Sequence, residues 1–312
     1  MTELQTKVQK SIERLKAFEP PEGYYLAFSG GKDSVVCKAL LDMAGCKYDA
    51  VYRVTSVDPP ELVRFIKNQH PDVVREVPRD KDGKPITMWN LIPKKLLPPT
   101  RLVRYCCDSL KESGGDGRLT VTGVRWAESK NREKNQGIIT MPEKKSGNKF
   151  GDNSDFKLTR SGGVVLLNDN DESRKLLDVC YKKHKTLLNP IIDWSDEDVW
   201  SFIKQENISY CSLYDEGFSR LGCIGCPLAK QKMRERELKR WPKYKEAYLK
   251  AFEKMIERRK QRHLSDPSRP IWKQQGVECS NPTPIDVFNW WMEYDVLPGQ
   301  INWFDEEIED DE

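Results

Sequence analysis

The stretch YYLAFSGGKDSVVCKALLDMAG (residues 24–45) joins two apolar runs through a turn that holds two glycines, a lysine, an acid and two hydroxyls. YYLAF predicts a short strand, and SVVCKALLDMAG predicts a helix closed by Gly45. Backbone N–H groups at the start of such a helix favour an anion, and the glycines let it approach closely. The spacing is not that of a Walker A loop. The turn therefore predicts a phosphate site of another kind, to which Lys32 adds a positive charge and Ser29 and Ser34 add hydroxyls.

The same alternation of strand and helix continues along the chain. YDAVYRVT predicts a second strand, and PELVRFIKNQH predicts a helix that begins with proline. RLTVTGVR and VVLLN predict later strands, and NPIIDWSDEDVWSFIKQEN predicts a turn followed by a helix capped by Ser195. This order predicts an α/β fold with a parallel twisted sheet flanked by helices.

Composition divides the chain into regions. Residues 1–229 carry the strand–helix pattern and are expected to form one domain. Within it, residues 128–163 are rich in Lys, Asn, Gly and Ser and show little periodicity, which predicts a mobile loop or irregular hairpin. Residues 230–312 are expected to form a charged, mostly helical C-terminal region that ends in an acidic tail.

The distribution of charge along the chain indicates which kinds of partner the protein could bind. The formal net charge of +3 says little, but residues 230–262, which begin at Lys230 and end at Arg262, carry an excess of Lys and Arg. Such a segment is either a solvated helical surface or one that faces nucleic-acid phosphates. No apolar run reaches the roughly 18 residues of a membrane helix, and the first 20 residues lack the apolar centre of a signal peptide. We therefore expect a cytoplasmic protein without a membrane partner.

Four cysteines form two close pairs in the sequence. Cys106 and Cys107 are adjacent, while Cys223 and Cys226 form a C-x-x-C pair. With nine cysteines in a reducing compartment, metal binding or redox chemistry is the expected use for those that cluster. Four thiolates in two close pairs suit either Zn²⁺ or an iron–sulfur cluster, and the spacing leaves both open.

SGGKDS resembles the PP-loop signature of the N-type ATP pyrophosphatases, which have an adenine nucleotide alpha hydrolase-like fold. VTSVDPPELVRFI, VTGVRWAESKNR and NPIIDWSDEDVWSFI resemble segments of the phosphoadenosine phosphosulfate reductase branch, so the resemblance covers most of residues 20–230. It implies binding of ATP with Mg²⁺, cleavage between the α and β phosphates, and catalytic roles for Lys32, Asp33 and Arg125. The nucleotide-binding residues that it implies are Ser29, Gly30, Gly31, Lys32, Asp33, Ser34, Gly123 and Arg125.

The vicinal pair followed by a distant C-x-x-C is similar to the [4Fe-4S] pattern of adenosine phosphosulfate reductases and of DNA phosphorothioation enzymes. This resemblance implies a [4Fe-4S] cluster held by Cys106, Cys107, Cys223 and Cys226. Three cations that are near these cysteines in sequence could offset the charge of the thiolates: Arg104, Lys111 and Arg220.

The resemblance implies an ATP-dependent sulfurtransferase that adenylates DNA or tRNA and receives sulfur from a cysteine desulfurase. One alternative is a sulfonucleotide reductase, whose nucleophilic cysteine follows a Glu-Cys-Gly-x-His pattern. Here Glu278 and Cys279 are followed by Ser280 and no histidine, while the PP-loop lysine is intact. The missing histidine departs from the reductase pattern, and the intact lysine is typical of the enzymes that cleave ATP, so both features favour the sulfurtransferase. A nucleotide-binding subunit without catalytic activity is the third interpretation.

Overall fold

The computed structural model describes residues 2–115, 117–141, 156–158, 164–166, 186–274 and 277–294. Contacts divide the chain into two compact units, each discontinuous in sequence. The sheet unit comprises Met1–Arg53, Pro60–Glu76 and Ser113–Leu221. The cysteine unit comprises Val54–Pro59, Val77–Glu112 and Gly222–Glu312. This division differs from the expected domains 1–229 and 230–312, whose boundary stays a prediction.

The sheet unit is built on strands that backbone hydrogen bonds join into one sheet. In chain order the strands are β1 (Tyr24–Ala27), β2 (Tyr48–Arg53), β3 (Val74–Glu76), β4 (Leu119–Val121), β5 (Ile139–Met141), β6 (Phe156–Leu158), β7 (Val164–Leu166) and β8 (Thr186–Leu188). Across the sheet the order is β3-β2-β1-β4-β8-β5-β7-β6. The pairs from β3 to β8 are parallel, and those from β8 to β6 are antiparallel. The predicted parallel α/β sheet is confirmed, with an antiparallel edge added.

The helices of the described residues alternate with these strands in the first half of the chain. They are α1 (Glu3–Ala17), α2 (Lys32–Ala44), α3 (Pro60–Gln69), α4 (Met88–Lys95), α5 (Tyr105–Leu110), α6 (Lys130–Asn135), α7 (Asp196–Gln205), α8 (Gln231–Arg240), α9 (Pro242–Ser265) and α10 (Pro284–Met292). Helix α2 ends at Gly45, whose φ of 68° is left-handed as a C-cap requires. Helix α7 begins with the predicted cap, since the Ser195 side chain accepts from the Asp198 N–H.

The core of the sheet unit lies on the central parallel strands. Leu26 of β1, Val121 of β4 and Leu188 of β8 have no exposed surface, and burying such a side chain stabilises the fold by about 1.5–3 kcal/mol. Helices α1, α2 and α7 pack against one another. A rigid central sheet fixes the loops at the carboxyl ends of β1 and β4, which carry the predicted nucleotide site.

The expected irregular insert at 128–163 contains regular structure where it is described. Helix α6 and strands β5 and β6 form within it, while residues 142–155 and 159–163 lie outside the described residues. The run IITM (residues 138–141), which is buried, explains β5. The run is short and flanked by polar residues, so its periodicity is weak in the sequence.

The cysteine unit is helical, with one small ribbon of strands β9 (Trp272–Gln274) and β10 (Val277–Cys279) paired antiparallel. Helix α9 packs against α4 and α10, and its residues Tyr248, Phe252 and Met255 share one face and are buried. The basic segment 230–262 thus forms helices α8 and α9, as predicted, and the acidic tail lies outside the described residues. None of the described helices combines the length and the apolar character needed to cross a membrane.

Candidate functional site

The glycine turn connects β1 to α2 in the sheet unit. Gly30 adopts a φ of 72°, a left-handed conformation that favours glycine. The Ser29 hydroxyl donates to Ser34 Oγ at 3.2 Å, and the Ser34 hydroxyl donates to the Gly31 carbonyl at 2.9 Å. Both serines therefore hold the shape of the turn. The first helical N–H groups of α2 follow directly, as an anion site at a helix N-terminus requires.

Lys32 is the first residue of α2 and is 7% exposed. Its backbone N–H donates to Tyr214 Oη at 2.8 Å. Its Nζ lies 3.3 Å from Asp33 Oδ2 and 3.2 Å from Asp196 Oδ1. Burial raises the pKa of Tyr214, so the phenol stays neutral and keeps a proton to donate. Tyr214 thus already accepts the hydrogen bond from one of the backbone N–H groups that a phosphate would use.

Arg125, in the loop after β4, connects three parts of the sheet unit and is 1% exposed. Its Nε donates to Asp33 Oδ1 at 2.8 Å, and its Nη2 donates to Asp196 Oδ1 at 2.6 Å. Its Nη1 donates to the Trp194 carbonyl at 3.2 Å. Burial lowers the pKa of Arg125, but the two carboxylates outweigh this and raise it. The structure therefore brings the predicted residues Lys32, Asp33 and Arg125 together.

Asp196 was not expected in this site, and it belongs to the first turn of α7. It accepts from both Arg125 and Lys32, and its side chain is 72% exposed. Burial of the carboxylate raises its pKa, but the hydrogen bond from Arg125 and the charge of Lys32 outweigh this and lower it. In the sequence Asp196 is one of several acids at a helix start, where the helix dipole already accounts for it.

Gly123 lies in the loop after β4, where α2 approaches closely. A Cβ at this position would lie 2.8 Å from Asp33 Cβ and 3.0 Å from the Asp33 carbonyl carbon. Any side chain would therefore push the β4 loop away from α2. The geometry fits a glycine that allows Arg125 to reach Asp33 and gives no sign of a phosphate ligand.

This site combines two cations and two carboxylates at the N-terminus of a helix. The cations and N–H groups suit a pyrophosphate group, and the carboxylates are the oxygen ligands that Mg²⁺ prefers. Over the described ranges, no three side chains of metal-binding type are grouped so as to hold a metal ion. The predicted role of Asp33 as a Mg²⁺ ligand stays a prediction.

The four predicted cluster cysteines all belong to the cysteine unit and are free thiols of intermediate exposure. The Cys106 thiol donates to Cys107, and Arg104 Nη2 lies 3.4 Å from Cys107 Sγ. These two contacts lower the pKa of Cys107 to about 6. Cys223 and Cys226 both act electrostatically on Cys106. The fold has therefore brought together two pairs that are far apart in sequence.

The C-x-x-C turn is held by backbone contacts. The Cys226 N–H donates to the Cys223 carbonyl at 3.2 Å, and the Gly225 N–H donates to Glu237 Oε2 at 2.8 Å. Burial raises the pKa of Cys223 to about 11, while Lys111 opposes this shift. Of the three cations expected near the cysteines, Arg104 and Lys111 lie beside them, and Arg220 belongs to the sheet unit.

The donor set suits a soft metal, and zinc and an iron–sulfur cluster both remain predictions for it. Four thiols with two adjacent cations suit a soft, thiolate-ligated group. No three of the thiols are close enough to hold one metal ion in the described part of the chain. Cys279, by contrast, lies in β10 opposite Trp272.

Comparison with known proteins matches residues 23–229 to the phosphoadenosine phosphosulfate reductase domain family. An uncharacterized protein of Methanocaldococcus jannaschii is 27% identical over 212 residues, which are 65% of this chain and 41% of that protein. An adenosine 5'-phosphosulfate reductase of Neisseria meningitidis serogroup A is 50% identical over 38 residues, 12% of this chain and 16% of that enzyme.

The chain thus spans less than half the length of the curated relatives it matches. The solved phosphate complex of a phosphoadenylyl-sulfate reductase from Candida auris has a TM-score of 0.39 and 13% identity, over 72% of this chain and 96% of that one. The family match alone covers well over half of the 312 residues. The chain belongs to the phosphoadenosine phosphosulfate reductase domain family.

Proposed function

We propose that this protein is an ATP-dependent sulfurtransferase that adenylates a nucleic acid, releases pyrophosphate and then replaces AMP with sulfur. The observation that carries the proposal is the position of Lys32. Its ammonium group is buried at the N-terminus of α2 between two carboxylates. A cation held beside the first N–H groups of a helix is suited to grip a pyrophosphate leaving group.

The first half of the reaction is attack on ATP. An oxygen of the nucleic acid attacks the α-phosphorus, the bond from the α-phosphorus to the bridging oxygen breaks, and pyrophosphate leaves with the electron pair. Charge builds on the β-phosphate oxygens, where Lys32 Nζ stabilises it. Asp33 would hold the Mg²⁺ that accompanies the phosphates. Arg125 is a positioning residue, because its guanidinium is already bound by Asp33 and Asp196.

The second half is sulfur transfer. A cysteine desulfurase supplies sulfur as an enzyme persulfide, whose terminal sulfur attacks the adenylated centre, so that AMP leaves and an acceptor–S–S–enzyme disulfide forms. A thiol reductant then attacks the enzyme sulfur of that bond, forms a disulfide with it and leaves the terminal sulfur on the nucleic acid as a thiolate. Cys106, Cys107, Cys223 and Cys226 would hold a [4Fe-4S] cluster, with Arg104 and Lys111 offsetting its negative charge. When bound, the cluster supplies a sulfur-rich redox centre.

Nucleic acid is the proposed acceptor because of the basic helices α8 and α9. Phosphate contacts from Lys and Arg supply most of the non-specific affinity of proteins for nucleic acid. Exposed cations are spaced along both helices: Lys232, Lys239, Lys243, Lys250 and Arg258. The expected result is binding that weakens steeply with salt.

A sulfonucleotide reductase is the second candidate, and the Neisseria relative favours it. A reductase of this kind needs a terminal nucleophilic thiol and has no use for a lysine that grips pyrophosphate. Here Lys32 is in place, and the cysteine that would have to serve as the nucleophile, Cys279, is fixed in a ribbon strand. Both features favour the sulfurtransferase. A nucleotide-binding subunit without activity would bind ATP and release no product.

Pyrophosphate release from ATP separates these candidates. The protein is purified without oxygen and assayed with DNA, with tRNA and with neither, beside Lys32→Ala. We expect release that rises with one nucleic acid and is lost in the variant. Sulfite formed from adenylyl sulfate and a thiol, without pyrophosphate release, would establish the reductase instead. ATP binding with neither product would establish the inactive subunit.

A further inference from the structure

Helix α8 buries an arginine in the cysteine unit. Arg234 has no exposed surface. Its Nη2 donates to the Trp291 carbonyl at 2.8 Å, and its guanidinium carbon lies 4.4 Å from the centre of the Trp291 ring. Among the described residues, neither Nε nor Nη1 of Arg234 has a hydrogen-bond partner. Two of the three guanidinium nitrogens are therefore unused there.

Burying a guanidinium group with so few partners destabilises the folded protein. The guanidinium keeps its charge in proteins, and an unpaired buried charge is strongly destabilising. One carbonyl and one indole ring recover only part of that cost. Burial lowers the pKa of Arg234, and the carboxylate of Glu293 is the first of the groups that oppose this shift. Glu293 is half exposed and lies 3.7 Å from Arg101, so it is a weak counter-charge for a buried group.

The surroundings of Arg234 connect it to the C-x-x-C turn. Trp291, on which the guanidinium stacks, packs against Tyr248 with ring centroids 4.6 Å apart. Gly225 touches both rings, since a Cβ there would lie 3.0 Å from Trp291 and 3.3 Å from Tyr248. The Tyr248 hydroxyl donates to the Ile224 carbonyl at 2.9 Å. The buried cation is thus one ring away from the turn that carries Cys223 and Cys226.

We infer that Arg234 is a positioning residue for the anionic group held by the four cysteines, as its fixed buried counter-cation. The inference rests on the cluster of the proposed function. Four thiolates give such a cluster a net negative charge, and a fixed nearby cation stabilises it further when it gains an electron. Arg234 lies beyond residues 23–229, which match the family. The C-terminal helices would therefore supply a counter-charge to a site whose four thiols all lie within the family domain.

The test compares Arg234→Met, Arg234→Lys and Arg236→Met in full-length protein purified without oxygen. Methionine keeps an unbranched chain and removes the charge, lysine keeps the charge, and Arg236 is an exposed arginine on the same helix. Iron and sulfide content, the midpoint potential of the cluster and the rate of iron loss to a chelator are measured. We expect Arg234→Met to shift the potential to more negative values and to lose iron several-fold faster. Arg234→Lys should lie between it and the wild type, and Arg236→Met should match the wild type.

A second measurement excludes a merely structural role. After the cluster is stripped, Arg234→Met should melt at or above the melting temperature of the wild type, because it removes a poorly compensated buried charge. In the loaded protein the same variant should melt lower. Equal losses of melting temperature in both states, or an unchanged potential and iron-loss rate, would overturn the inference. Wild-type protein that contains zinc or no iron would instead refute the cluster of the proposed function, and the inference with it.

Discussion

The two units of this protein each bury an arginine, and the two arginines have different kinds of partners. Arg125 in the sheet unit is bound by two carboxylates and a backbone carbonyl. Arg234 in the cysteine unit is held by a carbonyl and an aromatic ring. The charges of the first site balance without a ligand, which suits a nucleotide that must enter and leave. Among the described residues the charge of Arg234 is poorly balanced, which suits the anionic group that we propose for the four cysteines.

The strongest test of this contrast removes one thiol. Cys223→Ser replaces one of the four proposed ligands with a hydroxyl that binds iron poorly, so we expect the iron and the visible absorbance of the cluster to be lost. Iron analysis and visible absorbance measure this. Cys279→Ser is the matched control, because Cys279 lies in β10 and should leave the cluster intact. Full iron content in Cys223→Ser would place the cluster elsewhere.

The next largest effect is expected at the proposed nucleotide site of the sheet unit. Lys32→Ala removes the cation at the N-terminus of α2 and should slow pyrophosphate release about 100- to 1000-fold, the usual cost of deleting one charge-stabilising group. Lys38→Ala is the control on the same helix, since Lys38 is bound to Asp42 and Asp72. Unchanged release in Lys32→Ala would mean that the phosphates bind elsewhere. Iron content should stay the same in both variants.

Arg125→Met tests whether the first site depends on its arginine for stability. After the substitution Asp33 and Asp196 keep their contacts with Lys32, but the buried Trp194 carbonyl and both carboxylates lose a guanidinium hydrogen bond, which we expect to cost about 1–3 kcal/mol. Urea unfolding of the stripped protein measures the loss. Arg234→Met in the same stripped protein should cost little or nothing. Equal losses at the two positions would remove the contrast between the units.

Asp196→Asn should tighten the binding of pyrophosphate in the absence of Mg²⁺. Its carboxylate competes with the ligand for Lys32, so removing the charge leaves Asp33 as the remaining carboxylate beside Lys32 and makes the ammonium group more available to pyrophosphate. The gain should be about two- to fivefold, because the pairs of an exposed carboxylate are worth up to about 1 kcal/mol. Calorimetry measures it, with Glu197→Gln as the control one residue along the same helix. Weaker binding would show that Asp196 supports the ligand.

The smallest effect is the pH dependence of stability. The pKa of Asp196 is lowered in the folded protein, so its stabilisation is present above the unfolded value of about 3.9. It is lost as the pH falls through the lower folded value. The difference in unfolding free energy between wild type and Asp196→Asn should therefore stay within about 1 kcal/mol and fade as the pH drops below about 4. An equal difference under strongly acidic and near-neutral conditions would contradict this.

Sequence patterns predicted the parts of the fold that depend on neighbouring residues. The alternation of apolar runs predicted the parallel strands β1, β2 and β4, and the run VVLLN predicted β7, which belongs to the antiparallel edge; the short parallel strands β3 and β8 were not predicted. Ser195 predicted the start of α7. The antiparallel edge was not predicted, because β5 is short and lies between polar segments. Which strands pair at that edge depends on which neighbouring strand is available, and the local sequence pattern of one strand does not contain that information.

In the site, sequence motifs predicted Lys32, Asp33 and Arg125 but not the residues that fold in from afar. Tyr214 reaches the helix from 182 residues away in sequence. Arg234 could have been noticed, because it shares a helical face with the buried residues Glu237 and Leu238. Its segment is so rich in exposed charge that one buried cation does not stand out.

Transfer of labelled sulfur tests the central claim most directly. The anaerobically purified protein is incubated with a cysteine desulfurase, ³⁵S-labelled cysteine, a thiol reductant, DNA and tRNA, with and without ATP. The account predicts ³⁵S in one nucleic acid only when ATP is present, and none with Lys32→Ala or Cys223→Ser. Label that never reaches either nucleic acid, while the same preparation reduces adenylyl sulfate to sulfite, would contradict it.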